Sequence, residues 1–186
     1  SPLSGGIPKA AIGQLTLMQG GTEADVKETQ SILSKLAGNQ THMGGPGAGQ
    51  TTKMINQVLC GLGFLAVAEA TALAEAAGVD VEKIPQALKG GRADSALLQE
   101  YMPRFASRDY RRTGRIDNMV KDLNAAQDLA RLTHTSMPRN TSLLATRSLA
   151  AMHRRGLARR TMGEDALCQA QIEPFLPKSQ YQLSLV

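Results

Sequence analysis

Residues 44–77 read GGPGAGQTTKMINQVLCGLGFLAVAEATALAEAA, a glycine-rich segment followed by a long run of apolar and helix-forming residues. The run predicts one helix from about Gln50 to Ala77, entered through the glycines. Between Val58 and Leu73 it is apolar nearly all round, which predicts burial on several sides. We expect this helix to be the spine of a helical domain or the core of a dimer.

The residues before this helix carry strand and helix signals in alternation. Strands are predicted at Leu15–Met18 and Gln40–Met43. Between them Thr22 can cap a helix, Asp25 stands in the capping-box position, and Gly38-Asn39 should end the helix. The opening segment reads as a turn, on the basis of Ser4, Gly5, Gly6 and Pro8. A single strand-helix-strand unit is too small to bury a sheet, so it looks like the end of a larger α/β domain.

Everything after the glycine-rich segment reads as helix. The further predicted helices are Asp80–Leu88, Ser95–Phe105, Asp117–Leu132, Pro138–His153 and Glu164–Ile172. The predicted fold class is therefore mainly α, with a short strand-helix-strand remnant followed by an all-α domain built on one long helix. The predicted boundaries are 1–45 for the remnant, 46–176 for the all-α domain and 177–186 for a tail.

Composition agrees with a core of helices packed on helices. Aromatic residues make up 3% of the chain and Trp is absent, which argues against a β-sandwich. The net charge of +5 favours anionic partners, but charge alone does not choose among nucleic acid, a phosphorylated cofactor, acidic metabolites and a membrane surface. Neither the two cysteines, Cys60 and Cys168, nor the three histidines, His42, His134 and His153, have metal-ligand spacing, so no metal site is predicted.

The sequence predicts a soluble protein. The chain opens on small, turn-rich residues without the basic and apolar run of a signal peptide. The most apolar stretch, Val58–Ala68, is well short of the ~20 residues that span a bilayer. Two cysteines do not make a disulfide framework, so we expect a reducing compartment and a cytoplasmic location without membrane contact.

The glycine cluster Gly44–Gly49 comes close to two nucleotide-binding signatures and satisfies neither. In a P-loop a phosphate-binding lysine follows the last glycine, whereas here Gln50 follows it. A dinucleotide fingerprint has the order G-x-G-x-x-G, whereas Gly45, Gly47 and Gly49 are spaced G-x-G-x-G. We therefore favour a structural role, in which the glycines let the backbone pass close to a neighbouring segment before the long helix.

Three polar residues share one face of the first turns of that helix, because Lys53, Asn56 and Gln57 stand at positions i, i+3 and i+4. A lysine with two amide neighbours can exchange a proton with a substrate hydroxyl while the amides orient a carboxylate or hydroxyl. A solvated helix start explains the same three residues equally well when they are considered alone.

A wider set of motifs bears on this choice. In chain order they are Ser4-Gly5-Gly6, Gly13 with Gly20-Gly21, Gly44-x-x-Gly47-x-Gly49-Gln50-x-x-Lys53-x-x-Asn56-Gln57, Ala68-Glu69-Ala70, Gly78-Val79-Asp80, Arg115-Ile116-Asp117 and Lys121-Asp122-Leu123. From Ser1 to about Ala170 the chain resembles the β-hydroxyacid dehydrogenase family, which includes 3-hydroxyisobutyrate dehydrogenase and tartronate semialdehyde reductase. The combination of motifs is specific, although no single motif is.

The resemblance implies roles for the matching positions near the substrate. Ser4, Gly5 and Gly6 match the substrate loop, whose backbone and hydroxyl donors would hold the substrate carboxylate. Lys53 matches the catalytic lysine, which would act as general acid and base. Asn56 and Gln57 match the substrate-binding amide positions one turn further on, and either of them could face the substrate.

The resemblance also implies the cofactor. Lys121 matches the lysine that reaches NAD or NADP near the nicotinamide end, with Asp122 beside it. The strand-helix-strand unit would be the C-terminal remnant of an NAD(P)-binding Rossmann-like domain, and the G-x-G-x-x-G of that domain is absent from the chain. The implied protein is a dehydrogenase that interconverts a small β-hydroxyacid and its semialdehyde or keto form, as a homodimer or higher homo-oligomer. We expect the 186 residues alone to be inactive.

An alternative hypothesis is a non-catalytic helical module that dimerises or binds an anionic partner such as nucleic acid. The runs Arg111-Arg112-x-x-Arg115 and Arg154-Arg155-x-x-x-Arg159-Arg160 favour it, because clustered arginines can follow phosphates. Cations near helix C-termini explain the same runs. The sequence has no aromatic interleaving and no known DNA-binding motif, so nucleic-acid binding is the weaker hypothesis.

Overall fold

The computed structural model describes residues 1–109, 111 and 115–144. The chain divides into two compact units, Ser1–Val58 and a second unit that begins at Leu59. The helix predicted at Pro138–His153 is helical over 138–144. Its remainder, the helix predicted at Glu164–Ile172 and the predicted tail lie outside the described residues.

The first unit is built on a small mixed sheet. Its strands are β1 (Leu3–Ser4), β2 (Leu15–Gln19) and β3 (Ala37–His42), in the order β1-β2-β3. Strand β1 is antiparallel to β2, and β3 is parallel to β2. Helix α1 (Gly6–Ala11) joins the first two strands and helix α2 (Glu23–Leu33) the last two. The expected strand-helix-strand unit is therefore present, with one further strand and one further helix before it.

The prediction of a turn for the opening segment was wrong, since this segment forms β1 and α1. Gly5 and Gly6 have φ angles of 123° and 60°, so a sharp reversal does separate the two elements. Pro8 falls in the first turn of α1, where a missing N–H costs no helical hydrogen bond. Strand β1 forms because Leu3 pairs with Leu17. Its two residues are too few to show a strand pattern in the sequence.

The prediction that Gly38-Asn39 ends α2 was also wrong. Helix α2 ends at Leu33, and both residues lie inside β3. Ala37 is buried and pairs with Leu15. This pairing starts β3 at Ala37, three residues before the predicted strand at Gln40, although the residues of β3 are mostly polar. The register shifts between Leu15 and Thr16, and beside this irregularity a Cβ at position 38 would displace the end of the Gln14 side chain.

The predicted cap of α2 is confirmed. The Thr22 hydroxyl accepts a hydrogen bond from the backbone N–H of Asp25, and the Asp25 carboxylate accepts one from the backbone N–H of Thr22. The same carboxylate accepts the Thr22 hydroxyl hydrogen at 2.8 Å. These bonds from Thr22 hold the pKa of Asp25 below its ordinary value. The cap is therefore complete while Asp25 is ionised.

The second unit is helical, as predicted. Helix α3 (Ala48–Ala76) begins in the first unit and is followed by a 3-10 turn (Val81–Lys83) and by α4 (Ile84–Leu88), α5 (Ala96–Ala106) and α6 (Ile116–Leu132). One core cluster joins α3, the 3-10 turn and α5 through Val67, Ala74, Val81, Leu98 and Met102. On α6, Leu123 is fully buried, and the Asn140 amide donates to its carbonyl oxygen at 3.2 Å.

The predicted burial of α3 on several sides is observed in part. Val67 and Ala74 pack inward and Gly61 lies against Leu123 and Leu143 on another side, whereas Leu59 and Leu73 are 67% and 72% exposed. By length and composition α3 could cross a membrane, with a mean hydropathy of 1.6 over 18 residues, of which 28% are buried. The stretch Val58–Ala68 alone is too short to meet this criterion. The core helix of a soluble protein meets the same criterion, so the finding is weak evidence for a membrane.

Candidate active site

The start of α3 crosses the end of β2 at very short range. A Cβ at Gly49 would overlap the carbonyl oxygen of Met18 and come within 3.0 Å of the Gly20 nitrogen. A Cβ at Gly20 would come within 2.7 Å of the Gly49 nitrogen and 3.0 Å of the Gly45 oxygen. Two backbones can approach this closely only where both lack a Cβ. The predicted structural role of the glycine cluster is confirmed, and the neighbouring segment is Met18–Gly20.

The crossing fixes the part of α3 that carries the polar trio. The Lys53 ammonium donates to Gln57 Oε1 at 2.9 Å, and the Asn56 amide donates to the same oxygen at 2.8 Å. All three side chains are partly buried. The expected shared face is therefore observed, and the three side chains form one hydrogen-bonded group centred on the Gln57 carbonyl oxygen.

This arrangement distinguishes the two amides. Gln57 presents its oxygen to the lysine, so it holds Nζ in place from one turn further along the helix. Asn56 supports Gln57, because it donates one N–H of its amide to the Gln57 oxygen. Because Gln57 is neutral, it accepts a hydrogen bond from either the charged or the neutral form of the amine, whereas a carboxylate would favour the charged form.

The predicted substrate loop lies at the other end of β2. Ser4 pairs with Thr16 near the amino end of β2, whereas Gly20 and Gly49 meet beyond its carboxyl end. The Ser4 side chain is partly buried, and Gly5 and Gly6 are exposed. A substrate-binding role for these three residues stays a prediction.

The two residues predicted to contact the cofactor lie in the second unit, on α6. Lys121 Nζ is 3.3 Å from the Asp122 carboxylate, and the lysine side chain is 76% exposed. Lys121 lines an open pocket of about 620 Å³ together with Asp117, Asn124 and Asp128. Asp122 is not among the residues that line it, so Lys121 is the better placed of the two to meet a ligand there.

From the sequence, His42 was considered only as a metal ligand, for which its spacing is unsuitable. It ends β3, two residues before the first glycine of the cluster, and its ring Nε2 lies 2.9 Å from the Gly21 carbonyl oxygen and 3.0 Å from that of Gly44. Its place between a strand and a glycine-rich turn was the only signal in the sequence.

The arginines behind the nucleic-acid hypothesis are engaged with carboxylates where they are described. Arg111 forms hydrogen bonds with Asp109, which together with the nearby charge of Arg104 hold the pKa of Asp109 far below its ordinary value. Arg115 pairs with Asp117 at 3.2 Å. The second run, from Arg154 to Arg160, lies outside the described residues. The described arginines thus give no support to the hypothesis that the chain binds the phosphates of a nucleic acid.

Comparison with protein families gives two matches that together cover most of the chain. Residues 47–165 match the family described as the NAD-binding domain of NADP-dependent 3-hydroxyisobutyrate dehydrogenase. Residues 1–45 match the NAD-binding domain of 6-phosphogluconate dehydrogenase. The junction between the two matches falls within the glycine cluster.

Individual proteins show the same likeness. The chain is 38% identical over 130 residues to a probable 3-hydroxyisobutyrate dehydrogenase-like protein of Arabidopsis thaliana, covering 70% of this chain and 43% of the relative. It is 37% identical over 138 residues to the 2-hydroxy-3-oxopropionate reductase of Escherichia coli K12, covering 74% and 47%. The crystal structure of 3-hydroxyisobutyrate dehydrogenase from Salmonella typhimurium superposes with a TM-score of 0.72 at 32% identity, covering 82% and 54%. The chain thus spans about half the length of these relatives.

Proposed function

The chain belongs to the 3-hydroxyisobutyrate dehydrogenase family of NAD(P)-dependent enzymes, and from this premise we propose that it is part of an oxidoreductase acting on a small β-hydroxyacid. The reaction interconverts the hydroxyacid and its semialdehyde or keto form. The observation that supports it is the hydrogen-bonded group of Lys53, Gln57 and Asn56 on α3. A partly buried lysine held by a neutral acceptor suits a group that must both take and give a proton.

In the oxidation, Lys53 in its neutral form takes the proton of the substrate hydroxyl as the adjacent carbon loses a hydride. In the reduction, the ammonium form returns that proton to the carbonyl oxygen. When bound, NAD(P) supplies the hydride acceptor or donor. Gln57 keeps Nζ at one point in both directions, because its oxygen accepts a hydrogen bond from either form of the amine.

We propose that the described residues contact only one end of the dinucleotide. Lys121 on the open pocket of α6 would contribute a positive charge near the nicotinamide end, with Asp122 at its side. The glycine cluster does not fit the pyrophosphate, because Gly49 and Gly20 face each other's backbone at the crossing. Recognition of the pyrophosphate and adenosine therefore lies with residues other than these.

We assign the substrate by its chemistry. Two of the relatives are named for 3-hydroxyisobutyrate and for 2-hydroxy-3-oxopropionate. Both of these acids carry a carboxylate close to the reacting oxygen. Ser4, Gly5 and Gly6 would supply hydroxyl and backbone donors to that carboxylate, and Asn56 or Gln57 an amide to the reacting end.

Turnover of these two acids tests the proposal. We expect the protein with its complete nucleotide-binding domain to oxidise 3-hydroxyisobutyrate or to reduce 2-hydroxy-3-oxopropionate, as measured by the absorbance of reduced nicotinamide. The matched control is the corresponding alcohol or aldehyde without the carboxylate, which should react far more slowly. Binding of NAD(P) without turnover of any β-hydroxyacid would contradict the proposed function.

We further propose that the protein is a homodimer whose subunits meet along α3. Leu59 and Leu73 are exposed, and 14 residues of helix, close to four turns, bring them onto one face with Ala66 between them. In a symmetric dimer the two copies of such a face cover each other. This accounts for an apolar helix of which so little is buried within the chain.

The charge variant Leu59→Glu should therefore dissociate the dimer, because symmetry sets the new carboxylates close to apolar surface and to each other. Sedimentation equilibrium should show the mass of a monomer for this variant and of a dimer for the unchanged protein. Leu132→Glu is the control, since Leu132 is 80% exposed on a different helix. Equal masses for the Leu59→Glu variant and the unchanged protein would refute an interface along α3.

A further inference from the structure

We infer that His42 is a positioning residue for the catalytic end of α3, because its imidazole fastens the turn after β2 to the turn after β3. The effect of His42 on catalysis rests on the proposed role of Lys53. The joining of the two turns by His42 can be measured without turnover.

The hydrogen-bond pattern of the ring defines its tautomer. Both atoms facing His42 Nε2, the carbonyl oxygens of Gly21 and Gly44, only accept hydrogen bonds. The proton must therefore lie on Nε2, and this one N–H is shared between the two oxygens. The two carbonyls belong to residues 23 positions apart, so the ring joins segments that are distant in the chain.

The Gly44 carbonyl is fixed from two directions. It accepts the backbone N–H of Gly21 at 3.0 Å as well as the ring N–H of His42. Gly44 itself has a φ angle of 117°, and Gly47 one of 91°, so the connection relies on glycines that allow many backbone conformations. Two donors on one carbonyl restrict that freedom at the point where the chain leaves the sheet.

The restricted turn leads directly into α3. The Gly45 carbonyl accepts the N–H of Ala48, the first residue of the helix, and Gly49 follows at the crossing with β2. The crossing limits how close the helix can come to the strand, but it does not prevent the turn from moving away. The hydrogen bonds of His42 oppose that movement. Lys53 stands five residues into the helix and moves with its start.

The variant His42→Phe keeps a ring of similar size and removes the shared N–H. We expect it to raise amide hydrogen exchange across residues 44–49 at least about fivefold, which mass spectrometry of the full chain can measure. In the protein with its complete nucleotide-binding domain, kcat should fall about tenfold or more while KM changes little, because a displaced acid/base group acts mainly in the transition state.

Two further variants separate the N–H from other effects of the substitution. In His42→Gln the amide N–H can reach the position of Nε2, so both exchange protection and kcat should largely recover. His134→Phe makes the same change at an exposed histidine of the second unit and should alter neither. Should His42→Phe fail to fold, His42→Asn supplies the comparison, since its shorter amide does not reach both carbonyls.

The outcomes are distinct. Unchanged exchange and unchanged kcat in His42→Phe overturn the inference, as does a His42→Gln variant no better than His42→Phe. Raised exchange with unchanged kcat also overturns the positioning role. The proposed function fails by a different result, the retention of full turnover by Lys53→Ala, whatever the behaviour of His42.

Discussion

The variant Lys53→Ala should lose about 10²- to 10⁴-fold in kcat in the protein with its complete nucleotide-binding domain, the usual contribution of a general acid or base. The physical reason is that the hydroxyl proton has no other acceptor in the hydrogen-bonded group, since Asn56 and Gln57 carry amides that do not take up protons. Steady-state rates in both directions, followed by the absorbance of reduced nicotinamide, measure the effect. Hydride transfer and proton transfer are coupled, so oxidation and reduction should fall together.

The matched control is Lys83→Ala. Lys83 has an exposed ammonium that pairs only with its neighbour Asp80 among the ion pairs of the described residues, and it lies in the second unit. Its loss removes the same charge and should leave kcat within about twofold. A circular dichroism spectrum for Lys53→Ala equal to that of the unchanged protein shows that the fold survives. Full turnover in a folded Lys53→Ala variant would refute the assignment of this lysine as acid and base.

The variant Gly49→Ala should lower the free energy of unfolding by about 3 kcal/mol, at the upper end of what overpacking costs. The added Cβ would overlap the Met18 carbonyl oxygen and crowd the Gly20 nitrogen, and both are backbone atoms that cannot rotate away. The helix would have to shift off the strand. Urea unfolding followed by circular dichroism measures the loss.

Gly45→Ala is the control for this variant. A Cβ at position 45 would meet no atom within 4 Å, and the residue does not have a positive φ angle. It should change the free energy of unfolding by less than about 0.5 kcal/mol, or stabilise slightly by restricting the unfolded chain. If the two alanine variants were equally stable, the close crossing of β2 and α3 would be wrong.

Several elements were predictable because their causes are local. The capping box of α2 needs only Thr22 and Asp25 three residues apart, and it was found where the sequence placed it. The Lys53–Gln57 hydrogen bond joins residues four apart on one helix, so the spacing alone brings them together. Helices α3, α5 and α6 begin and end within about two residues of their predicted bounds for the same reason, whereas α4 begins at Ile84, after the 3-10 turn and four residues later than predicted.

Other features depended on contacts between distant segments. Strand β1 has two residues and no pattern of its own, and it exists because Leu3 pairs with Leu17. Strand β3 begins at Ala37, in a stretch whose composition favoured the end of a helix, because its neighbour β2 offers a free edge. The exposure of Leu59 and Leu73 was likewise not predictable from the sequence. The pattern of apolar residues shows which faces of a helix are apolar, but it does not show how many of those faces the rest of the chain covers.

The sequence by itself therefore determined the helical domain, the cap of α2 and the polar face of Lys53, Asn56 and Gln57, since these depend on residues three or four positions apart. Only the tertiary structure decided that the glycine cluster is a backbone crossing and that His42 joins the turns after β2 and β3. The crossing and the bond from His42 to Gly21 join residues more than twenty positions apart. Their distances are set by how the sheet and the helix pack, which no short-range pattern in the chain encodes.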